Sequence, residues 1–241
     1  SRGLGDVYKR QVLSDLQNAG HQIILVSSGA IGVGVGKLGL KKRPHDTAQK
    51  QAVAAVGQCE LMFIYDKLFG EYNHTVAQVL LTRDVMMNDH TKQNVINTLQ
   101  ELMALDIIPV VNENDTVAID ELVGSNFGDN DTLSAIVADL AEADLLVILT
   151  DIDGLYDSDP RKNPEAKLIP IVTHIDERIR EMAGGSGSNR GTGGMSTKVS
   201  AAVVANDAGI DCCVINGKDP SLLYDLLDGK PVGTRFIHEK Q

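Results

Sequence analysis

The sequence predicts an α/β fold, a three-layer αβα sandwich with a mostly parallel central sheet. Three observations predict it. Short apolar runs alternate with helical patterns, the runs are dense in Val, Ile and Leu at consecutive positions, and polar or glycine-rich motifs follow them. Consecutive apolar residues mark strands buried on both faces, and strands separated by helices pair in parallel.

Taken in order, residues 12–19 form the end of a helix stopped by Gly20, and 22–27 (QIILVS) form the first apolar strand. A long helical pattern over 48–69 leads to a strand at 76–81, and a helix over 91–105 leads to a strand at 107–111. Residues 130–142 read as a helix before 145–150 (LLVILT), the most apolar strand of the chain. A helix over 197–208, a strand over 212–215 and a helix over 220–227 complete the series. The chain shows no internal repeat, and its one linker-like stretch, 184–194, is too short to separate two independently folding domains.

Composition narrows the function classes. At 241 residues there is enough chain for one sizeable core, and with 4% aromatics and no Trp that core is built from aliphatic residues. A net charge of −11, without a basic stripe interleaved with aromatics, argues against a nucleic-acid partner or an anionic membrane surface. No apolar run is long enough to span a bilayer and no secretion signal is visible, so cytoplasmic residence is expected. Cys59, Cys212 and Cys213 make neither a disulfide framework nor a zinc site, and the six histidines are scattered, so no metal ligand is assigned to the protein itself. The adjacent Cys212 and Cys213 are expected to face opposite sides of a strand.

Ligands of open parallel α/β folds sit beyond the carboxyl ends of the strands. Five motifs fall there: Ser27-Ser28-Gly29-Ala30, Asn112-Glu113-Asn114-Asp115, Gly128-Asp129-Asn130-Asp131, Thr150-Asp151, and the loop Gly191-Thr192-Gly193-Gly194-Met195-Ser196-Thr197-Lys198. In the last, glycine N–H groups and a helix start favour a bound phosphate, and Lys198 adds a full charge. It is not a Walker A loop, because Met195, Ser196 and Thr197 separate Gly194 from the lysine. Each motif taken alone also reads as turn chemistry, with Thr197 capping a flexible turn and Asp131 capping a helix. Their convergence at strand ends favours a site.

The segments SSGAIGVG (27–34), VNENDTV (111–117), GDNDTLSA (128–135), LTDIDGLYDSDPR (149–161) and GTGGMSTK (191–198) occur in an order that resembles the glutamate 5-kinase branch of the amino acid kinase family. The similarity runs from about residue 12 to the C-terminus. It implies a carbamate-kinase-like fold and transfer of the γ-phosphoryl group of ATP, with Mg²⁺, to the side-chain carboxylate of L-glutamate, the first step of proline biosynthesis. It also implies a homo-oligomer, dimer or tetramer, with proline as feedback inhibitor.

By the same resemblance, Ser28 with the backbone of Gly29 and Ala30 contacts glutamate, as do Asp115 and Asn130. Asp131 orients the catalytic lysine, Lys198 stabilises phosphate charge, and Thr150, Asp151, Thr192, Gly193, Gly194, Met195, Ser196, Thr197 and Lys198 bind ATP. Asp153, Asp157 and Asp159 shape the nucleotide-side loop with Gly154 and Pro160, at least two of them as solvated turn carboxylates.

Two departures from the family pattern shape the expectations. Asp6-Val7-Tyr8-Lys9-Arg10-Gln11 matches the translation of a transposon end used in sequencing libraries, so residues 1–11 are expected to be non-native and the kinase domain to occupy 12–241. Nothing before Val12 carries the family's opening Lys-x-Gly-Ser/Thr strand, so a second lysine is expected to be missing and the activity weak. After Gly233-Thr234-Arg235-Phe236 no barrel of the RNA-binding type is expected. Two other functions stay open: an acetylglutamate- or uridylate-kinase-like enzyme, and a non-catalytic module that binds glutamate or proline.

Overall fold

A computed structural model describes residues 2–118, 129–184 and 194–238, of which 2–7 are described as backbone only. The chain divides into two compact units, one of residues 13–130 and one of 131–241 with 1–12.

Helix α1 (Arg2–Asn18) buries Val12, Leu13 and Leu16. The first unit continues with β1 (Leu25–Val26), α2 (Ala30–Lys37), α3 (Thr47–Gly70), β2 (Val76–Leu81), a 3₁₀ turn (Arg83–Met87), α4 (Asp89–Ala104) and β3 (Ile108–Glu113). Its sheet has the order β1-β3-β2, with both neighbours parallel to β3. Ile108, Val110 and Val111 are fully buried, as an apolar run covered on both faces requires. The helix starts follow side-chain chemistry. Asp46 accepts from the Gln49 N–H at 3.0 Å to open α3, and Asn88 accepts from the Thr91 N–H at 3.0 Å to open α4.

Helix α2 carries Gly32, Gly34 and Gly36, which lower its intrinsic propensity. It forms because it packs backbone to backbone on α3. A Cβ on Gly57 would overlap the Ala30 carbonyl, and one on Gly34 would overlap the Val53 carbonyl.

The second unit holds α5 (Asn130–Leu140), β4 (Leu145–Thr150), β5 (Ile171–Val172), α6 (Glu177–Gly184), α7 (Met195–Asp207), β6 (Asp211–Asn216), α8 (Leu222–Leu227) and β7 (Thr234–Phe236). Its sheet order is β4-β6-β7-β5, parallel except for the antiparallel β6–β7 pair. Val199, Ala201, Ala202 and Ala205 of α7 pack on Leu146, Ile148, Cys212, Val214 and Phe236. Cys212 and Cys213 are both fully buried, one on each face of β6, and only Cys212 joins that cluster.

The α/β class and parallel pairing match the sequence reading. Among the described residues the strands stand in two sheets, and β5, β7, α2 and α6 are elements the sequence patterns did not indicate. Strands of two or three residues are too short to show a period, and the glycines of α2 mask a helix.

Candidate active site

In the first unit, Ser27 ends the β1 segment. Its N–H donates to the Val111 carbonyl at 2.8 Å, and its hydroxyl lies 2.8 Å from that of Tyr65 on α3. Gly29 follows at φ +90°, a left-handed conformation that a residue without Cβ adopts freely, and becomes the N-cap of α2. Ser28 is therefore exposed at a helix start while Ala30 is buried. The close approach at Gly57 fixes this corner against α3.

The end of β3 is set by a chain of amides, of which Asn112 and Gln58 are buried. The Asn112 Nδ2 donates to Gln58 Oε1 at 2.9 Å, and Gln58 Nε2 donates to Gln78 Oε1 at 3.1 Å. Asn112 Oδ1 accepts from the Glu113 N–H at 2.9 Å, which turns the chain into Asn114 and Asp115. Burial raises the Asp115 carboxyl above the ordinary carboxylate range, because desolvation disfavours the charged form. No hydrogen-bond donor among the described residues reaches that carboxylate. Asn130 is half-buried at the start of α5, and it shares no hydrogen bond with Ser28 or Asp115 among the described residues.

In the second unit, Asp131 lies in the first turn of α5 with its carboxylate engaged elsewhere than at a helix cap. Its Oδ2 sits 3.0 Å from Lys198 Nζ and 2.7 Å from the Thr197 hydroxyl. Both charges are largely withdrawn from water, at 8% and 17% side-chain exposure for Lys198 and Asp131. Helix α7 starts at Met195 with Gly194 as its N-cap, so Thr197 lies inside the first turn instead of capping it. Ser196 and Thr197 thus share that turn with Met195 and Lys198. Thr192 and Gly193, with the rest of 185–193, lie outside the described residues.

Thr150 ends β4, its carbonyl accepting from the Gly217 N–H at 2.7 Å, and Asp151 is exposed beside it. Asp157 and Asp159 serve their own turns. Asp157 accepts from the Lys167 N–H at 2.9 Å and Asp159 from the Arg161 N–H at 3.0 Å, and these backbone bonds lower both pKa values. Asp153 is different, with contacts to Asn216 and Tyr156.

A buried lysine matched to an aspartate at the head of a glycine-led helix suits the neutralisation of a phosphoryl group. Residues 10–216 match the amino acid kinase family. The chain belongs to that family.

Among similar proteins, glutamate 5-kinase of Clostridium perfringens is 59% identical over 231 residues, covering 95% of this chain and 86% of the relative. Glutamate 5-kinase of Listeria innocua is 53% identical, covering 95% of this chain and 84% of the relative. Among solved structures, a carbamate kinase from Giardia lamblia bound to AMP-PNP aligns with a TM-score of 0.66 at 17% identity, over 97% of this chain and 89% of that one. An isopentenyl phosphate kinase of T. acidophilum aligns at 0.63 and 18% identity, over 95% and 90%. These structures share the amino acid kinase fold.

Sequence reasoning missed the residues that hold the site residues. Gln58, Gln78 and Tyr65 sit within ordinary helix and strand patterns, and Asn216 ends a strand where a polar residue is unremarked. Only their distant partners give them meaning, 54 residues away for Gln58 and Asn112.

No group of three His, Cys, Asp or Glu side chains suited to a metal ion is present among the described residues. Nor is any helix among them long and apolar enough to cross a membrane.

Proposed function

We propose that this chain, with residues 12–241 as its kinase domain, transfers the γ-phosphoryl group of ATP to the side-chain carboxylate of L-glutamate, giving γ-glutamyl phosphate for proline biosynthesis. The observation that carries the phosphoryl-transfer part is Lys198, held in the first turn of α7 by Asp131 and flanked by Thr197. The choice of glutamate rests on the 59% and 53% identity to relatives named for that reaction.

The acceptor carboxylate is already ionised near neutral pH, so no general base is required. A carboxylate oxygen forms the new bond to the γ-phosphorus, the bond from that phosphorus to the β,γ-bridging oxygen breaks, and ADP leaves with the electron pair. The obstacle is the approach of two anions. Catalysis therefore consists of positioning and charge neutralisation. Lys198 supplies positive charge to the moving phosphoryl group, and Asp131 fixes the ammonium in place. The N–H groups of residues 194–196 at the head of α7, and Thr150 with Asp151, receive the nucleotide phosphates and their surroundings. Asp115 pairs with the substrate α-ammonium, Asn130 donates amide hydrogen bonds, and Ser28 with the backbone of Gly29 and Ala30 holds the acceptor carboxylate.

No protein ligand is assigned to Mg²⁺. It is expected to arrive on the nucleotide phosphates, as this ion commonly does. The same reading includes action in the cytoplasm, feedback by proline and assembly into a homo-oligomer.

Hydroxylamine trapping tests the proposal. With ATP and glutamate, the acyl phosphate is captured as the hydroxamate while ADP forms in equal amount. ADP formed with N-acetylglutamate or UMP in place of glutamate assigns another kinase of the family. Glutamate binding without any phosphoryl transfer assigns a binding module.

A further inference from the structure

We infer that Asn216, the last residue of β6, is a positioning residue that fixes Asp153 and, through it, holds the 151–156 loop in the shape that receives the nucleotide. This rests on the phosphotransfer reading. Exposed loops that follow strands are ordinarily the mobile part of an α/β fold. This one is tied at Asp153, Leu155 and Tyr156. Asn216 Nδ2 donates to Asp153 Oδ1 at 2.7 Å, and the Tyr156 hydroxyl donates to Asp153 Oδ2 at 3.0 Å. Asn216 itself cannot swing, because its Oδ1 accepts from the Lys218 N–H at 3.0 Å. Behind the loop, the Thr234 hydroxyl accepts from the Leu155 N–H at 2.8 Å and donates to the Ile169 carbonyl at 2.7 Å.

Both carboxylate oxygens of Asp153 thus hold one neutral donor each. Each keeps a further lone pair, since a carboxylate has about four acceptor positions. Burial first, then the hydrogen bond to Asp153 and its charge, raise the Tyr156 pKa, so the phenol stays in its donating form. The clamp stands at the carboxyl ends of the parallel pair β4–β6, where Thr150 of β4 lies opposite Asn216 of β6 in register. The swap of amide and acid between the two positions is therefore a clean probe of the clamp.

The test is ADP binding by calorimetry on the wild-type chain, Asn216→Leu, Asn216→Asp and the double variant Asn216→Asp/Asp153→Asn, with steady-state KM values and melting temperature for each. Asn216→Leu is expected to weaken ADP about tenfold, within the range for losing a hydrogen bond to a charged group at a partly exposed site. Asn216→Asp sets two carboxylates at the clamp distance and weakens ADP further. The double variant restores the pair in reverse: the carboxylate at 216 still accepts from Lys218, and the amide at 153 still accepts from Tyr156. Its ADP affinity returns to within about threefold of wild type by the same scale, and the KM for glutamate stays level throughout. Unchanged ADP affinity in both single variants overturns the inference. So does a double variant as weak as Asn216→Asp, or a glutamate KM that rises in step with that of ATP. A wild-type chain that binds no ADP removes the phosphotransfer reading and the inference with it.

Discussion

In residues 13–130 the carboxylate proposed to meet the substrate, Asp115, is half-buried with no donor among the described residues, and burial raises its pKa. In residues 131–238 the lysine proposed to meet the phosphate, Lys198, is already matched to Asp131 at 3.0 Å. In the proposed reading the first unit leaves a cost that the substrate's own ammonium relieves. The second neutralises its charge in advance and keeps the lysine oriented. The difference fits the two ligands. An amino acid brings a cation that can complete a buried pair, whereas a nucleotide brings several negative charges that need a positive group fixed beforehand. The scaffolds differ in the same sense. Gly34 and Gly57 lock α2 to α3 by backbone contact, and neutral amides hold the end of β3. The nucleotide-side loops are tied by hydrogen bonds to carboxylates instead.

The largest effect is expected from Lys198→Met. Turnover falls about 10²–10³-fold, the usual consequence of removing one pre-placed group that stabilises transition-state charge. Circular dichroism is expected to show the fold retained. Turnover within a factor of about two of wild type on that scale takes Lys198 out of the chemistry and breaks the contrast between the units.

Next in size is Gly57→Ala. The added methyl meets the Ala30 carbonyl, which belongs to backbone and cannot rotate away, and the cost is about 1–3 kcal/mol by overpacking. Urea unfolding measures it. Because Ala30 sits beside Ser28 and Gly29, the KM for glutamate is expected to rise more than that for ATP; an equal rise in both means the corner does not serve one ligand selectively.

A smaller effect comes from Asp211, which accepts from Arg235 Nη2 at 2.7 Å and from the His238 N–H at 3.0 Å. Burial alone raises its pKa. The hydrogen bonds from the His238 backbone and from the Arg235 and His238 side chains outweigh burial, and the net shift is downward. A lowered folded-state pKa stabilises the fold above the unfolded-state value, and that contribution is lost as pH falls through the folded value. Asp211→Asn is expected to cost roughly 1–2 kcal/mol near neutral pH, discounted because Arg235 is half-exposed, and to cost nothing once acid has protonated the wild-type carboxyl. Melting curves across that pH range read it, and a constant difference contradicts the assignment.

The smallest effect is a pH dependence at Asp115. Its raised pKa extends upward the acidic range over which it is protonated, and there it cannot pair with an ammonium. Glutamate affinity is therefore expected to fall as pH drops through the raised value, while ADP affinity stays level. For stability the sign is opposite to that of Asp211. A carboxyl with a raised folded-state pKa weakens the fold as pH climbs from the ordinary carboxylate value to the raised one. Asp115→Asn is expected to abolish both dependences, and calorimetry at several pH values checks them. Glutamate binding that ignores pH in the wild type contradicts the idea of a waiting, desolvated carboxylate.

These tests lean unequally on what the sequence displays. The runs VAQVLL and LLVILT coincide with β2 and β4 because mostly apolar stretches of strand length mark strands, although the exposed Gln78 interrupts the first. Helix α3 is legible as a long pattern, although its cap, Asp46, is seen only in the structure. Helix α2 is hidden because its glycines matter for closeness to α3, a property of the pair that neither segment reveals alone. The positions of Lys198 and Asp131 stand out through their motifs, but the Thr197 hydroxyl on the Asp131 carboxylate depends on where α7 starts, two residues earlier than its apolar pattern indicates. The supporting amides of Gln58 and Asn216 are invisible in sequence for the same reason: a hydrogen bond across 54 or 63 residues leaves no local trace.

The double-sided burial of β6 has one more outcome. Burial pushes the Cys213 thiol up to about 11 and the Cys212 thiol higher still, so neither forms a thiolate near neutral pH. Cys59 on α3 is exposed. A maleimide dye therefore marks the folded chain at a single position and gains its second and third labels only when the β6 sheet comes apart, so the native thiols themselves form a clock for its opening.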